Sequence, residues 1–91
     1  MNMINVKIIG YKKPQRYCIK RAVMAAQIEL QETNRHLEIN MAEIRELSEI
    51  QKITHAFMLP SLMINEKLVC VGRFPKKEEI IAWLQEALHI R

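Results

Sequence analysis

Apolar and polar positions alternate at the start of the chain. Ile4, Val6 and Ile8 fall on one face, Ile9 follows on the other, and Gly10 ends the run. This pattern predicts a strand over Met3 to Ile9. After the short polar connection Tyr11 to Lys13, Pro14 suits the first position of a helix, because its φ is fixed and it has no N–H to leave unpaired. From Tyr17 the apolar period changes: Ile19, Ala22, Val23, Ala26 and Leu30 form the stripe of an amphipathic helix ending near Thr33–Asn34. Arg35 to Ile39 reads as a second strand with Leu37 and Ile39 inward. Asn40-Met41-Ala42-Glu43 resembles a capping box and predicts a helix from Met41 to about Ile53, with Ile44, Leu47 and Gln51 on one stripe and Ile50 beside it. Thr54 to Leu59 reads as a loop that stops at Pro60. Ser61 to Ile64 and Lys67 to Val71 are apolar runs separated by Asn65-Glu66, the signature of a tight hairpin. Gly72 ends the hairpin. A last helix over Lys76 to Ile90 carries Ile80, Trp83, Leu84, Ala87 and Leu88 on one face, with Glu78 and Glu79 in its favourable first turn.

The order is β-α-β-α-β-β-α. The first β-α-β unit is expected to be parallel with a right-handed crossover, and the hairpin antiparallel. A four-stranded mixed sheet with helices on both faces accommodates every apolar stripe, so the expected class is α/β, one domain over residues 1–91. The 91 residues are 49% hydrophobic and 26% charged, which fits a globular chain and excludes a disordered one. No apolar run approaches the roughly 18–20 residues that span a bilayer. The expected setting is cytoplasmic, since no export signal is visible at the N-terminus and two cysteines are too few for a disulfide scaffold.

Charge is unevenly spread. The formal net charge is +4, yet residues 1–28 hold six basic residues and no acid, while residues 29–51 hold six glutamates against Arg35 and Arg45. All ten acids are Glu, which suits helix surfaces. The basic front end suits an anion, a nucleic acid or an acidic protein, or is simply a solvated face. Cys18 and Cys70 form no Cys-x-x-Cys pair, and with His36, His55 and His89 they give no zinc spacing, so neither a metal nor a cofactor is expected. Both thiols are expected to be buried and free.

Three segments then stand in a meaningful order. Val6-Lys7-Ile8-Ile9-Gly10 looks like a first strand and its glycine. Leu59-Pro60-Ser61-Leu62-Met63-Ile64 with Asn65-Glu66-Lys67-Leu68-Val69 looks like a proline loop and hairpin. Gly72-Arg73-Phe74-Pro75 before Lys76-Lys77-Glu78-Glu79-Ile80 looks like the approach to a last helix. Together, from about Val6 to Leu88, they resemble the small thioredoxin/glutaredoxin-like proteins called redox-active disulfide proteins. The resemblance implies a thioredoxin-like fold, a cis peptide at Leu59–Pro60, and a loop there that faces a cysteine pair and receives an extended peptide.

The cysteine pair is where the chain departs from the family. Counted forward from Gly10, the family's two cysteine positions fall on Lys13 and Arg16, within Lys13-Pro14-Gln15-Arg16. Dithiol–disulfide exchange needs a thiolate at a helix start and a second thiol to resolve the mixed disulfide. Lysine and arginine supply neither, so this exchange is not possible at that position, and the chemistry argues against an enzyme. The expected function is non-redox binding of a protein, a peptide or a small anion at the first-helix N-terminus and the Pro60 loop. The binding residues would be Lys12, Lys13, Arg16, Met58, Leu59, Pro60, Ser61 and Arg73. An anion there would offset the cost of cations at a helix N-terminus. The alternative is a single-cysteine, glutaredoxin-like oxidoreductase using Cys18, with Lys and Arg nearby to stabilise its thiolate. Nucleic-acid binding, with Tyr11 and Tyr17 for stacking, is disfavoured by an aromatic content of 5%. No membrane partner is expected, and the chain would be a monomer or a weak dimer, with the hairpin's second strand as a free edge. Trp83 reads as a core anchor, and of the histidines only His55 is positioned to border a site.

Overall fold

The computed structural model describes residues 2–53 and 59–89. Its elements run β1 (Asn2–Ile9), α1 (Lys13–Gln31), β2 (Leu37–Ile44), α2 (Leu47–Ile53), β3 (Ser61–Ile64), β4 (Lys67–Val71) and α3 (Lys77–His89). The four strands form one mixed sheet in the order β2-β1-β3-β4. β1 pairs parallel with β2 and antiparallel with β3, which pairs antiparallel with β4. This is the β-α-β-α-β-β-α arrangement of a thioredoxin-like α/β fold.

Strand periodicity sorts the side chains between two cores. Ile4, Val6 and Ile8 of β1 meet Leu62 and Ile64 of β3, the α1 line Ile19, Val23, Ala26 and Leu30, and Ile80 and Leu84 of α3. On the opposite sheet face, Ile9 and Met63 pack with Ile50 of α2, flanked by Ile44, Leu59 and Leu68. The short α2 leaves the hairpin end of that face to polar residues. There Asn40 Nδ2 donates to Asn5 Oδ1 at 3.2 Å, and Lys7 pairs with Glu66 at 2.9 Å. The hairpin turns through Asn65 and Glu66, at φ 47° and 67°. Two consecutive left-handed residues match the twist of the strands without a glycine.

One sequence expectation fails here. β2 does not stop at Ile39, and no helix starts at Met41. All eight residues Leu37–Ile44 pair one for one with Asn2–Ile9. Leu37, Ile39 and Met41 continue a period-two alternation toward the main core. A ladder against the central strand outweighs the modest helical preference of Met-Ala-Glu. Asn40 and Glu43 are therefore strand residues, and the helix is confined to seven residues after Glu46.

Candidate functional site

The fold brings four chain segments to one edge of the sheet. Ile9 is paired with both Ile44 and Ser61, and Ser61 with Val71, so the C-terminal ends of β1, β2 and β4 and the start of β3 lie side by side. Gly10 N donates to Ile44 O at 3.0 Å, and Gly72 N to Pro60 O at 2.8 Å, which carries the pairing one step further on each side. The Leu59–Pro60 peptide is cis. A Cβ on Gly10 would meet Arg16 Cγ at 3.5 Å and Pro60 Cβ at 3.8 Å. Gly10 thus marks the point where the first turn of α1 faces the Pro60 loop.

Arg16 occupies that point, and it does not belong to an exposed basic patch. Only 5% of the residue is exposed, and it lies on the same helical line as Ile19 and Val23. Its Nη1 donates to Gly10 O and Tyr11 O, each at 2.9 Å, and its Nε donates to Glu43 Oε1 at 2.9 Å. A buried guanidinium requires such partners, because an unpaired one is strongly disfavoured in a poorly hydrated setting. One side chain therefore ties the β1–α1 connection to the end of β2. The local sequence marks Glu43 as a capping residue; its role here depends on the extension of β2, which no local signal carries.

The remaining cations divide in two. Lys12 and Lys13 are exposed at the start of α1, where Lys12 makes no side-chain cap bond and the first turn has no acid. Arg73 is exposed but engaged: Nη1 and Nη2 bond the Glu79 carboxylate at 2.8 and 2.6 Å. Glu79 also accepts from Lys76 N at 3.0 Å, at the start of α3. The Arg73 hydrogen bond, helped by the Lys76 N–H, pulls the Glu79 carboxyl down to about 2. Because this pKa is lowered by folding, the pair's contribution is present above the ordinary value of 4.5 and is lost as pH falls from there through about 2. A carboxyl-carbon NMR titration is expected to place the Glu79 midpoint near 2. Arg73→Ala should return it toward the ordinary range; an unchanged midpoint would assign the shift elsewhere.

Leu59 is half-buried against the second core, and Pro60 and Ser61 are buried. Met58 and His55 lie outside the described residues. Cys18, expected to be buried, is exposed. Each helical residue turns the chain by about 100°, so Cys18 leaves α1 well away from the buried line through Arg16 and Ile19. Cys70 is buried in β4, with Sγ 3.5 Å from Arg73 O, and burial raises its thiol pKa, partly opposed by the Arg73 charge. Both thiols are free. Tyr11 and Phe74, each about half exposed, follow β1 and β4 out of the same sheet edge. In the sequence Phe74 stands only within the Gly72-Arg73-Phe74-Pro75 segment, because one aromatic in a polar connection carries no periodic signal of its own.

Among the described residues no group of His, Cys, Asp or Glu is arranged to hold a metal ion, and no helix is long and apolar enough to cross a membrane. A family model described as a thioredoxin domain matches residues 4–85. No curated protein matches the chain.

Proposed function

The chain belongs to the thioredoxin domain family, and from that premise we propose that it is a non-redox binding module holding an extended acidic peptide, or a small anion, at the start of α1 and the Pro60 loop. The observation that carries this reading is the side chain at the meeting point of Gly10 and Pro60. By the family resemblance, a redox member needs its second thiol at this helical position. Here a guanidinium lies there, bonded to two loop carbonyls and to Glu43. The edge can hold a ligand but has no sulfur in that place to exchange electrons with one.

Lys12 and Lys13 supply the attraction, because Arg16 and Arg73 already face carboxylates. The open first turn adds backbone N–H groups and the positive end of the helix dipole. Tyr11 and Phe74 supply apolar contact beside an extended strand. The test is a titration with penta-glutamate and, separately, inorganic phosphate, followed by amide shifts. Movement is expected at residues 11–17, 59–61 and 72–74, with affinity falling as salt rises. The double variant Lys12→Ala, Lys13→Ala should bind roughly 3- to 10-fold more weakly. Silence at those amides with both probes removes the proposal.

A second reading uses Cys18 as a lone nucleophile, and its exposure favours it. Its place in the second turn, turned away from the Arg16 line, weighs against it.

A further inference from the structure

The side of α1 that faces away from the core carries a stripe of which the binding reading uses only the first residue, Lys13. Lys13, Tyr17, Arg21, Met24, Ile28 and Glu32 are all exposed and lie on a band of the helix roughly 100° wide, opposite the buried line. Its centre is apolar: Tyr17, Met24 and Ile28 are 58%, 44% and 66% exposed. Arg21 lies over the Tyr17 ring at 5.8 Å. The steps along the stripe are four, four, three, four and four residues, the same in either direction.

Such a stripe is complementary to itself. Laid antiparallel on a second copy about a twofold axis, Lys13 meets the other copy's Glu32, Tyr17 meets its Ile28, and Arg21 meets its Met24; each meeting then occurs twice. The end charges point the same way. In one chain Lys13 sits at the positive end of the helix dipole and Glu32 just past the negative end; α1 has no acid in its first turn and no base in its last. Neither residue has an ion-pair partner among the described residues. The antiparallel arrangement brings an acid to the first end and a base to the second. Glu29, by contrast, is turned toward α3 and pairs with Lys77 at 3.3 Å.

We propose that the outer face of α1 is an isologous dimer interface, occupied by α1 of a second copy in antiparallel register. One helix face covers less than a standard interface, so association is expected to be weak, with a Kd of about 10 µM to 1 mM. The experiment is sedimentation equilibrium over that range, without peptide or anionic ligand, so its result is independent of the binding reading. The wild type should dimerise. Ile28→Glu should remove the dimer while far-UV circular dichroism stays unchanged. K13E and E32K should each weaken it roughly 10-fold, since each change puts like charges together twice. An equimolar mixture of K13E and E32K chains restores both attractive pairs and should reassociate, which a purely internal effect of either substitution would not produce. A chain that stays monomeric throughout, a dimer indifferent to Ile28→Glu, or a mixture no better than its components overturns the proposal. Binding of a monomeric chain to phosphatidylserine vesicles through the same residues would do so as well, by assigning the face to a membrane.

Discussion

Replacing Arg16 with alanine is expected to lower the unfolding free energy by about 2–4 kcal/mol, to be read from urea denaturation with an unchanged m-value. The sign of this effect distinguishes two accounts of the same residue. A solvated arginine in the first turn of a helix is mildly unfavourable, so its removal would be neutral or stabilising by about 0.3–1 kcal/mol. In the structure the side chain is buried, and its loss strips donors from Gly10 O and Tyr11 O and leaves Glu43 without its partner. Removing one member of a buried charged group costs about 3–5 kcal/mol. The Glu43 side chain is 40% exposed and can return to water, which moves the expected loss to the lower end of that range and below it. In a domain of this size the change corresponds to a fall in Tm of roughly 10–25 °C. Glu43→Gln keeps an acceptor for Nε and should cost only about 1 kcal/mol. A neutral Arg16→Ala would return the residue to the exposed patch and contradict the geometry of the site.

The two thiols are expected to react with a maleimide at rates differing on the order of 10³-fold in the native chain. Cys18 is exposed and reacts directly. Cys70 is buried, its thiol pKa is raised by that burial, and it reacts only through openings of the β3–β4 region. In denaturant the difference disappears. Mass spectrometry after brief labelling measures the ratio. Equal native rates would mean that β4 does not hold Cys70 as described, while a slow Cys18 would contradict its exposure. Fast labelling of Cys18 reports access alone, because nucleophilic catalysis also needs an activating group and a place for the substrate beside the thiol.

Period-two and period-3.6 patterns made most of the architecture legible. Ile4, Val6 and Ile8, the α1 stripe from Ile19 to Leu30, and Ile80 with Leu84 are core residues because their spacing leaves them no other side to occupy. The hairpin was legible from Asn65-Glu66, a local turn signal. The second half of β2 is not legible because Asn40-Met41-Ala42-Glu43 is locally compatible with a helix start, and only pairing with β1, distant in sequence, keeps it extended. The same non-local cause hid the site. Arg16 looks like a surface cation until Glu43 arrives opposite it from β2, and Arg73 looks available until Glu79 of α3 engages it. Lys12 and Lys13 are legible as exposed cations because none of the ion pairs among the described residues involves them. The exposure of Cys18 turns on one helical step: its neighbour Ile19 is buried, and about 100° of rotation puts the thiol in solvent.

The central claim is that the family's thioredoxin fold has kept a recognition edge here without dithiol chemistry. Dithiothreitol-driven reduction of insulin, followed by turbidity, tests it most directly. The wild type and Cys18→Ser are both expected to match the rate without protein. Catalysed reduction by the wild type that disappears in Cys18→Ser would contradict the account.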